Sequence, residues 1–237
     1  MSKRTEPLGI IKSHDEIKRI KKAQAMGDKC FSHLLEFITP GMTETHIAAE
    51  IEETFRKLGA SGTSFAPICA SAERGALPHA VPTSHKIKEG DLLTIDMGAM
   101  ADGYAGDMTR TIGIGYLTDE QKKLYDIVLR AQLAGIEKAG PSVKACDVDK
   151  ACRDIIEEEG FGEYFIHGTG HGVGRQVHEP PTVNSNSEEI LRPGMPITIE
   201  PGIYIPKSMG VRIEDLLIIT EIGILNITKS TKELVII

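Results

Sequence analysis

Lys88-Glu89-Gly90-Asp91-Leu92-Leu93-Thr94-Ile95-Asp96-Met97-Gly98 aligns without a gap against Arg192-Pro193-Gly194-Met195-Pro196-Ile197-Thr198-Ile199-Glu200-Pro201-Gly202. Both segments read as a turn followed by a strand that ends in Thr-Ile-carboxylate-x-Gly. A self-similar segment of this kind restricts the chain to an architecture built from two related supersecondary units. A second carboxylate follows each segment after a loop, Asp107 in the first and Glu214 in the second, and each precedes another β-type run (109–114 and 216–222). Each half therefore supplies two acidic residues.

The helices repeat as well. Ser13 and Glu16 form a capping box, and Ile17, Ile20, Phe31, Leu34, Leu35 and Ile38 recur at helical spacing up to Pro40-Gly41. Thr43 caps a second helix through Ile47, Ile51 and Phe55 that stops near Gly59. Thr118 and Gln121 form another capping box ahead of Leu124, Ile127, Val128, Leu133 and Ile136, and a shorter helix is expected from about 145 to 160. Each helix pair leads into a β-rich stretch, 63–115 and 164–237. With no Ser/Gly/Pro-rich linker, the expectation is a single α+β domain over 1–237, with halves of about 14–116 and 117–237 sharing one sheet.

At 237 residues, 41% of them hydrophobic, the chain can bury a sizeable core. Its 34 acidic against 27 basic residues give a net charge of −7 and no basic footprint for phosphate backbones, so no nucleic-acid partner is expected. The stretch 1–13 lacks the apolar core of a secretory signal, and no apolar run approaches the ~20 residues that span a bilayer; no membrane partner and a cytoplasmic location are expected. Cys30, Cys69, Cys146 and Cys152 show no C-x-x-C spacing and read as buried, reduced thiols.

The chemistry concentrates on the carboxylates. Asp102-Gly103 is a two-residue hairpin signal; a turn there sets Asp96 opposite Thr109 and Gly98 opposite Asp107. Asp96 and Asp107 then lie diagonally on one face, about 7–8 Å apart. The segment 205–210 is a hairpin loop that brings Glu200 and Glu214 opposite one another. A carboxylate ending an apolar strand needs a counter-ion, because an unpaired buried charge costs several kcal/mol. Asp91 and Asp102 read as turn formers. The glycine-rich run His167-Gly168-Thr169-Gly170-His171-Gly172-Val173-Gly174 lets the backbone approach a crowded site, and His178 follows it. On its residues alone, His171 fits a satisfied loop histidine as well as a ligand. His14, His33, His46 and His85 lack acidic company and read as surface or packing residues. Four carboxylates with one imidazole suit two divalent cations such as Mn²⁺, Co²⁺, Fe²⁺ or Zn²⁺ better than Ca²⁺ or Mg²⁺.

These motifs resemble the metallopeptidases of the pita-bread fold, which include methionine aminopeptidases, Xaa-Pro aminopeptidases and prolidases. The resemblance covers nearly the whole chain. It is carried by Leu77-Pro78-His79-Ala80, Thr94-Ile95-Asp96-Met97-Gly98, Gly103-Tyr104 with Gly106-Asp107-Met108-Thr109-Arg110-Thr111, Gly170-His171-Gly172-Val173-Gly174, and Ile199-Glu200-Pro201-Gly202-Ile203-Tyr204 with Val211-Arg212-Ile213-Glu214-Asp215. It implies two pseudo-symmetric halves with a curved antiparallel sheet flanked by helices, holding two divalent metal ions, Mn²⁺ first among them. In the family pattern Asp96 binds one metal, Asp107 and Glu214 bridge both, and His171 with Glu200 complete the second. Glu200 serves as general base, His178 stabilises the oxyanion, and His79 and His167 touch substrate and relay the proton to the leaving nitrogen. Tyr204 is implied to meet substrate with His79 and His178, and Arg212 and Thr109 to support the ligand carboxylates.

The resemblance implies hydrolysis of peptides at the N-terminal residue, foremost at Xaa-Pro bonds. Many dipeptidase members carry an arginine between the two histidines, where Gly168 stands here, which leans toward an aminopeptidase over a prolidase. The compact length and Gly174-Arg175 with His178-Glu179-Pro180-Pro181-Thr182-Val183 have some character of methionine aminopeptidases. Against that branch, Leu77-Pro78-His79-Ala80 replaces the usual His-Gly-x-Pro, Ala105 stands where a histidine is common, and the segment from Glu200 to Glu214 is short. Most Xaa-Pro members carry a further N-terminal domain that helps build oligomers, so a monomer or weak homodimer is expected. Other relatives bind without catalysis, but those generally lack a ligand that is present here.

Overall fold

The computed structural model describes residues 9–237; the reading of the N-terminal stretch as free of a signal sequence lies, over residues 1–8, outside them. Among the described residues four α-helices form: α1 (His14–Phe37), α2 (Glu44–Lys57), α3 (Asp119–Lys138) and α4 (Ala145–Glu158). Both capping boxes are made, with Ser13 and Glu16 satisfying each other's end of α1, and Thr118 and Gln121 doing the same for α3. The Thr43 hydroxyl accepts from the His46 amide to start α2, and Gly59, at φ +87°, ends it. Helix α4 starts at Lys144 with no side-chain cap, and its formation rests on burying Ala145, Val148, Cys152 and Ile156 along one face. That face meets α3 closely, since a Cβ on Gly135 would lie 2.4 Å from the Cys152 sulfur.

The strands are β1 (Gly62–Thr63), β2 (Ile68–Ser71), β3 (Leu92–Met97), β4 (Ala99–Ala101), β5 (Tyr104–Ala105), β6 (Met108–Gly113), β7 (Gly170–Gly172), β8 (Glu179–Val183), β9 (Pro196–Ile199), β10 (Gly202–Ile205), β11 (Met209–Arg212), β12 (Asp215–Thr220) and β13 (Gly223–Asn226). They pair antiparallel, but not as the one shared sheet expected. Hydrogen bonding divides them into sheets ordered β1-β4-β5, β10-β11, β13-β12-β9-β7-β8 and β2-β3-β6. The β3 ladder breaks off at Met97, one residue past Asp96, and the β9 ladder at Ile199, directly before Glu200.

The breaks do not disturb register. Asp96 pairs with Thr109 in β3–β6, and Met100 with Ala105 in β4–β5, so one hairpin register runs from 92 to 113 and sets Gly98 level with Asp107. Its tip is Asp102-Gly103, both at positive φ (51° and 77°), as a type I′ turn requires. The second half repeats this: Ile199 pairs with Asp215 and Gly202 with Arg212, one register that carries Glu200 to the level of Glu214. The order β2-β3-β6 of the first half recurs as β7-β9-β12 in the second.

Each half has its own apolar cluster. Ala23, Cys30, Phe31, Leu34, Ile47, Ile51 and Phe55 of α1 and α2 pack on Leu93, Ile95, Met97 and Ile112. Leu124, Ile127, Val128, Val148, Cys152 and Ile156 pack on Ile197, Ile199, Ile203, Val211 and Leu217. A third group, with Ile20, Tyr104, Val173, Leu216 and Ile218, joins the two. The cysteines are free thiols; Cys30, Cys69 and Cys152 are buried as expected, whereas Cys146 is partly exposed. His33 departs from its sequence reading, because α1 and α2 lie side by side and set its Nε2 2.7 Å from Glu50. Among the described residues no helix is long and apolar enough to cross a membrane.

Candidate metal centre

Backbone geometry converges the acidic residues. Asp96 is the penultimate residue of β3, Asp107 directly precedes β6, Glu200 directly follows β9, and Glu214 directly precedes β12. Strand β7 brings His171 into the same space by lying unusually close to its neighbours. A Cβ on Gly170 would stand 2.0 Å from the Thr198 carbonyl oxygen, and one on Gly172 2.3 Å from that of Pro180. Those glycines are required by close approach. The Thr198 hydroxyl then serves two residues, accepting from the His171 amide (3.0 Å) and donating to Glu200 Oε1 (3.0 Å). Thr94 is its equivalent in the repeat and instead pairs with the Thr111 hydroxyl at 3.1 Å.

Asp107, His171 and Glu214 offer ligand atoms that all lie within 4.8 Å of one another. His171 Nε2 lies 3.2 Å from Glu200 Oε1 and 3.5 Å from Asp107 Oδ2. Burial pushes the carboxyls of Asp107 and Glu214 well above the usual range, and neighbouring carboxylates push them further: Asp96 against Asp107, then Asp107, Glu200 and Asp96 against Glu214. Burial also raises Asp96, against the pull of Arg212. For His171, burial favours the neutral ring, but the hydrogen bond and charge of Glu200 and the charge of Asp107 override it and push the pKa up to about 9. Four carboxylates thus share the positive charge of Arg212 and His171.

The Arg212 guanidinium, 4% exposed, is the counter-ion that the sequence required for Asp96. Its Nη2 donates to Asp96 Oδ2 at 2.7 Å, Nη1 to the Tyr204 hydroxyl at 2.8 Å, and Nε to the Thr109 hydroxyl at 3.1 Å. Thr109 passes its own proton to Glu214 Oε2 at 2.7 Å. Asp96 Oδ1 is left buried with no partner. An orphaned carboxylate oxygen beside an excess of buried negative charge is the condition that a divalent cation relieves, and the donor set of carboxylate oxygens with one imidazole fits such an ion.

All five expected ligands line one cavity of about 510 Å³, together with Arg212, His79, His167 and His178. Phe65, Pro67, Ile68, Pro78, Val81 and Pro82 make an apolar wall. His79 and His178 are exposed on the cavity. The His178 ring stands edge-on to His171 at 4.3 Å between centroids. Burial, then the charge of His171, lowers its pKa. His167 is half-buried, with Nδ1 donating to the Gly168 carbonyl (2.7 Å) and Nε2 2.8 Å from the Tyr204 hydroxyl. Burial holds this ring neutral, so Nε2 accepts from Tyr204. Tyr204 is 3% exposed, its hydroxyl engaged by Arg212 on one side and His167 on the other.

Two participants escaped the sequence reading. Thr198 was visible only as part of the repeated Thr-Ile-carboxylate motif. Gln24, whose Oε1 accepts from the Asp107 amide at 2.9 Å, sits in an α1 pattern read for its apolar face.

Residues 18–221 match the model of metallopeptidase family M24. The chain is 48% identical over 226 residues to the Xaa-Pro dipeptidase of Pyrococcus horikoshii, covering 95% of this chain and 64% of that protein. It superposes on a structure of the Xaa-Pro dipeptidase from Bacillus anthracis with TM-score 0.95 at 47% identity, covering 96% of this chain and 64% of that one. The X-Pro aminopeptidase of Thermotoga maritima gives TM-score 0.94 at 37% identity, over 96% and 65%. The chain spans about two thirds of the length of the relatives it matches. The α+β pita-bread arrangement expected from the sequence is the fold of these structures. On the family match and this likeness, the chain belongs to metallopeptidase family M24.

Proposed function

We propose that the chain is the catalytic unit of a dinuclear metallopeptidase that removes the residue preceding proline. Asp96, Asp107, His171, Glu200 and Glu214 would hold two divalent ions, Mn²⁺ foremost. When bound, such a pair supplies Lewis acidity toward a carbonyl and lowers the pKa of water toward neutrality. Glu200, whose Oε1 already takes hydrogen bonds from Thr198 and His171, would accept the proton of the attacking water. His178, exposed on the cavity, would donate to the developing oxyanion. His79 would meet the substrate, and His167, held by Tyr204 in one tautomer, would keep that side of the cavity polar and take part in returning the proton. The observation that carries this reading is the unpartnered Asp96 Oδ1 beside the raised carboxyls of Asp107 and Glu214.

The apolar wall around Pro67, Pro78 and Pro82 supports a pyrrolidine ring as the preferred group, because the amide before proline has no N–H and must be recognised by shape. Gly168 is hemmed in: a Cβ there would lie 2.9 Å from the Asn184 Cβ and 3.0 Å from the Val183 carbonyl, so no arginine side chain fits without displacement. That favours an aminopeptidase, while the 48% identity to a Xaa-Pro dipeptidase favours a prolidase. Metal-stripped protein with Mn²⁺ restored decides the matter on Ala-Pro-Ala, Ala-Pro and Met-Ala-Ser. Cleavage of either proline peptide supports the proposal and ranks the two specificities. Faster cleavage of Met-Ala-Ser would replace it with methionine aminopeptidase activity, and cleavage of none with a binding role.

A further inference from the structure

Among the buried carboxylates outside the metal cluster, Glu44 and Asp149 are each paired with an arginine that reaches onward to carbonyls of segments lining the cavity. Glu44, the first residue of α2, is fully buried. Its Oε1 accepts from the Ser71 amide (2.9 Å) and its Oε2 from the Thr83 amide (3.0 Å) and hydroxyl (2.9 Å). Arg74 Nε bonds to both of its oxygens, and Arg74 Nη2 donates to the Val81 carbonyl at 2.6 Å. The loop 71–83, which carries Pro78, His79 and Val81 on the cavity wall, is therefore tied at both ends and in the middle.

The second half does the same from α4. Asp149 is fully buried, and its Oδ1 accepts from the Thr169 amide (3.0 Å) and hydroxyl (2.9 Å). Arg153 pairs with it at 2.9 and 3.0 Å and donates to the carbonyls of Phe165 (3.0 Å) and His167 (2.9 Å). Its guanidinium also lies over the Phe165 ring at 4.2 Å. Thr169 in turn accepts from the Glu200 amide at 2.7 Å.

We infer that Glu44–Arg74 and Asp149–Arg153 are a matched pair of clamps, one per half, that position His79 and His167 over the cavity. A buried ion pair contributes little net stability compared with apolar packing of the same volume, but its directional bonds fix geometry. Here each guanidinium also reaches the segment beside the histidine: Arg74 Nη2 bonds to the Val81 carbonyl, and Arg153 Nη1 and Nη2 bond to the carbonyls of Phe165 and His167. Arg74 and Arg153, at 24% and 22% exposure, are open enough to be replaced without leaving a sealed cavity.

The test uses Arg74→Ala and Arg153→Ala in protein labelled with ¹⁵N at histidine, with ring signals assigned through His79→Gln and His167→Gln. Arg153→Ala is expected to move the His167 ring shifts toward tautomer averaging and leave those of His79 in place. It should lower kcat on the cleaved proline peptide about tenfold with KM within about twofold. Arg74→Ala is expected to move only the His79 signals and to raise KM about tenfold with kcat within about twofold. If either alanine variant fails to fold, the lysine variant replaces it, since an ammonium keeps the charge but cannot span the carboxylate and the carbonyls. Ring signals unmoved in both variants, or moved together in each, would overturn the inference. Its kinetic half rests on the proposed peptidase activity; a wild type inert on peptides whose ring signals still respond selectively would refute that activity and leave the clamps standing.

Discussion

Arg212 donates from Nη2 to Asp96 Oδ2 at 2.7 Å across 116 residues of chain, while the other oxygen of the same carboxylate has no partner. One half of the molecule thus neutralises a carboxylate of the other through one oxygen, and leaves the second buried, unpartnered and within the field of Asp107 and Glu200. The same guanidinium holds Thr109 and Tyr204, so the orientation of Asp96, Glu214 and His167 depends on one side chain.

Replacing Arg212 by lysine is therefore expected to weaken Mn²⁺ binding about 10- to 100-fold, the usual loss when a group that orients a ligand is removed. Titration calorimetry on metal-stripped protein measures it, and an affinity within twofold of the parent would show that Asp96 needs no such support.

If Asp107 holds the metals as proposed, Asp107→Asn should abolish metal-dependent turnover, a drop of at least about 10³-fold. In the metal-free state the same change should not destabilise. The folded carboxyl of Asp107 lies well above its unfolded value, through burial first and then Asp96, so its contribution to metal-free stability is present below the unfolded pKa and lost as pH rises through the folded one. At neutral pH the amide removes that penalty. Urea melts of the metal-free proteins at pH 7 should give a midpoint for the variant equal to or above that of the parent; a clearly lower midpoint would mean that Asp107 is a structural carboxylate.

Asp215 works in the opposite sense. Burial disfavours its charge, but Arg110, at 2.8 Å, and Lys232, at 2.7 Å, outweigh burial and hold the carboxyl below its usual range. Its stabilisation is fully present above the unfolded pKa of about 3.9 and is lost as pH falls through the depressed folded value. Asp215→Asn should cost about 3–5 kcal/mol at pH 7, since Arg110, 1% exposed, is left with an unpaired buried charge. Denaturant melts from pH 7 to pH 3 should show a constant gap between variant and parent down to about pH 5 that narrows at the acid end. A gap that widens there would contradict the pairing.

At Gly98, level with Asp107 in the hairpin, an added Cβ would stand 2.0 Å from the Gly106 carbonyl oxygen and 2.1 Å from the Ser64 hydroxyl. The carbonyl is backbone and cannot step aside alone. Gly98→Ala is expected to destabilise by about 1–3 kcal/mol or more and to weaken Mn²⁺ binding as Asp107 shifts. Equal melting temperatures and equal affinities would show that the strand break has slack.

Much of this was legible in the sequence because it depends on neighbours along the chain. The capping boxes at Ser13 and Thr118 are four-residue patterns, and Asp102-Gly103 sets the register of the whole hairpin through a backbone conformation that those two residues favour. The repeated Thr-Ile-carboxylate-x-Gly segment pointed to Asp96 and Glu200 together. What could not be read depends on packing of distant segments. Glu50 meets His33 only because α1 and α2 lie side by side, and Thr109 meets Glu214 only where the halves join. Asp149 and Arg153 stand at i, i+4 on α4, a spacing that carries no sign of the bonds to Thr169 and to the carbonyls of Phe165 and His167. The division of the described strands into four sheets follows from strand breaks that periodicity does not register.

The most direct measurement is the number of Mn²⁺ ions bound per chain, by equilibrium dialysis of metal-stripped protein, with hydrolysis of Ala-Pro-Ala and Ala-Pro followed on the same samples. Two ions per chain in the parent, turnover that rises with metal occupancy, and loss of both in Asp107→Asn are the expected result. Hydrolysis that persists in the stripped protein, or full binding of two ions by Asp107→Asn, would contradict the assignment of this carboxylate cluster as the metal centre.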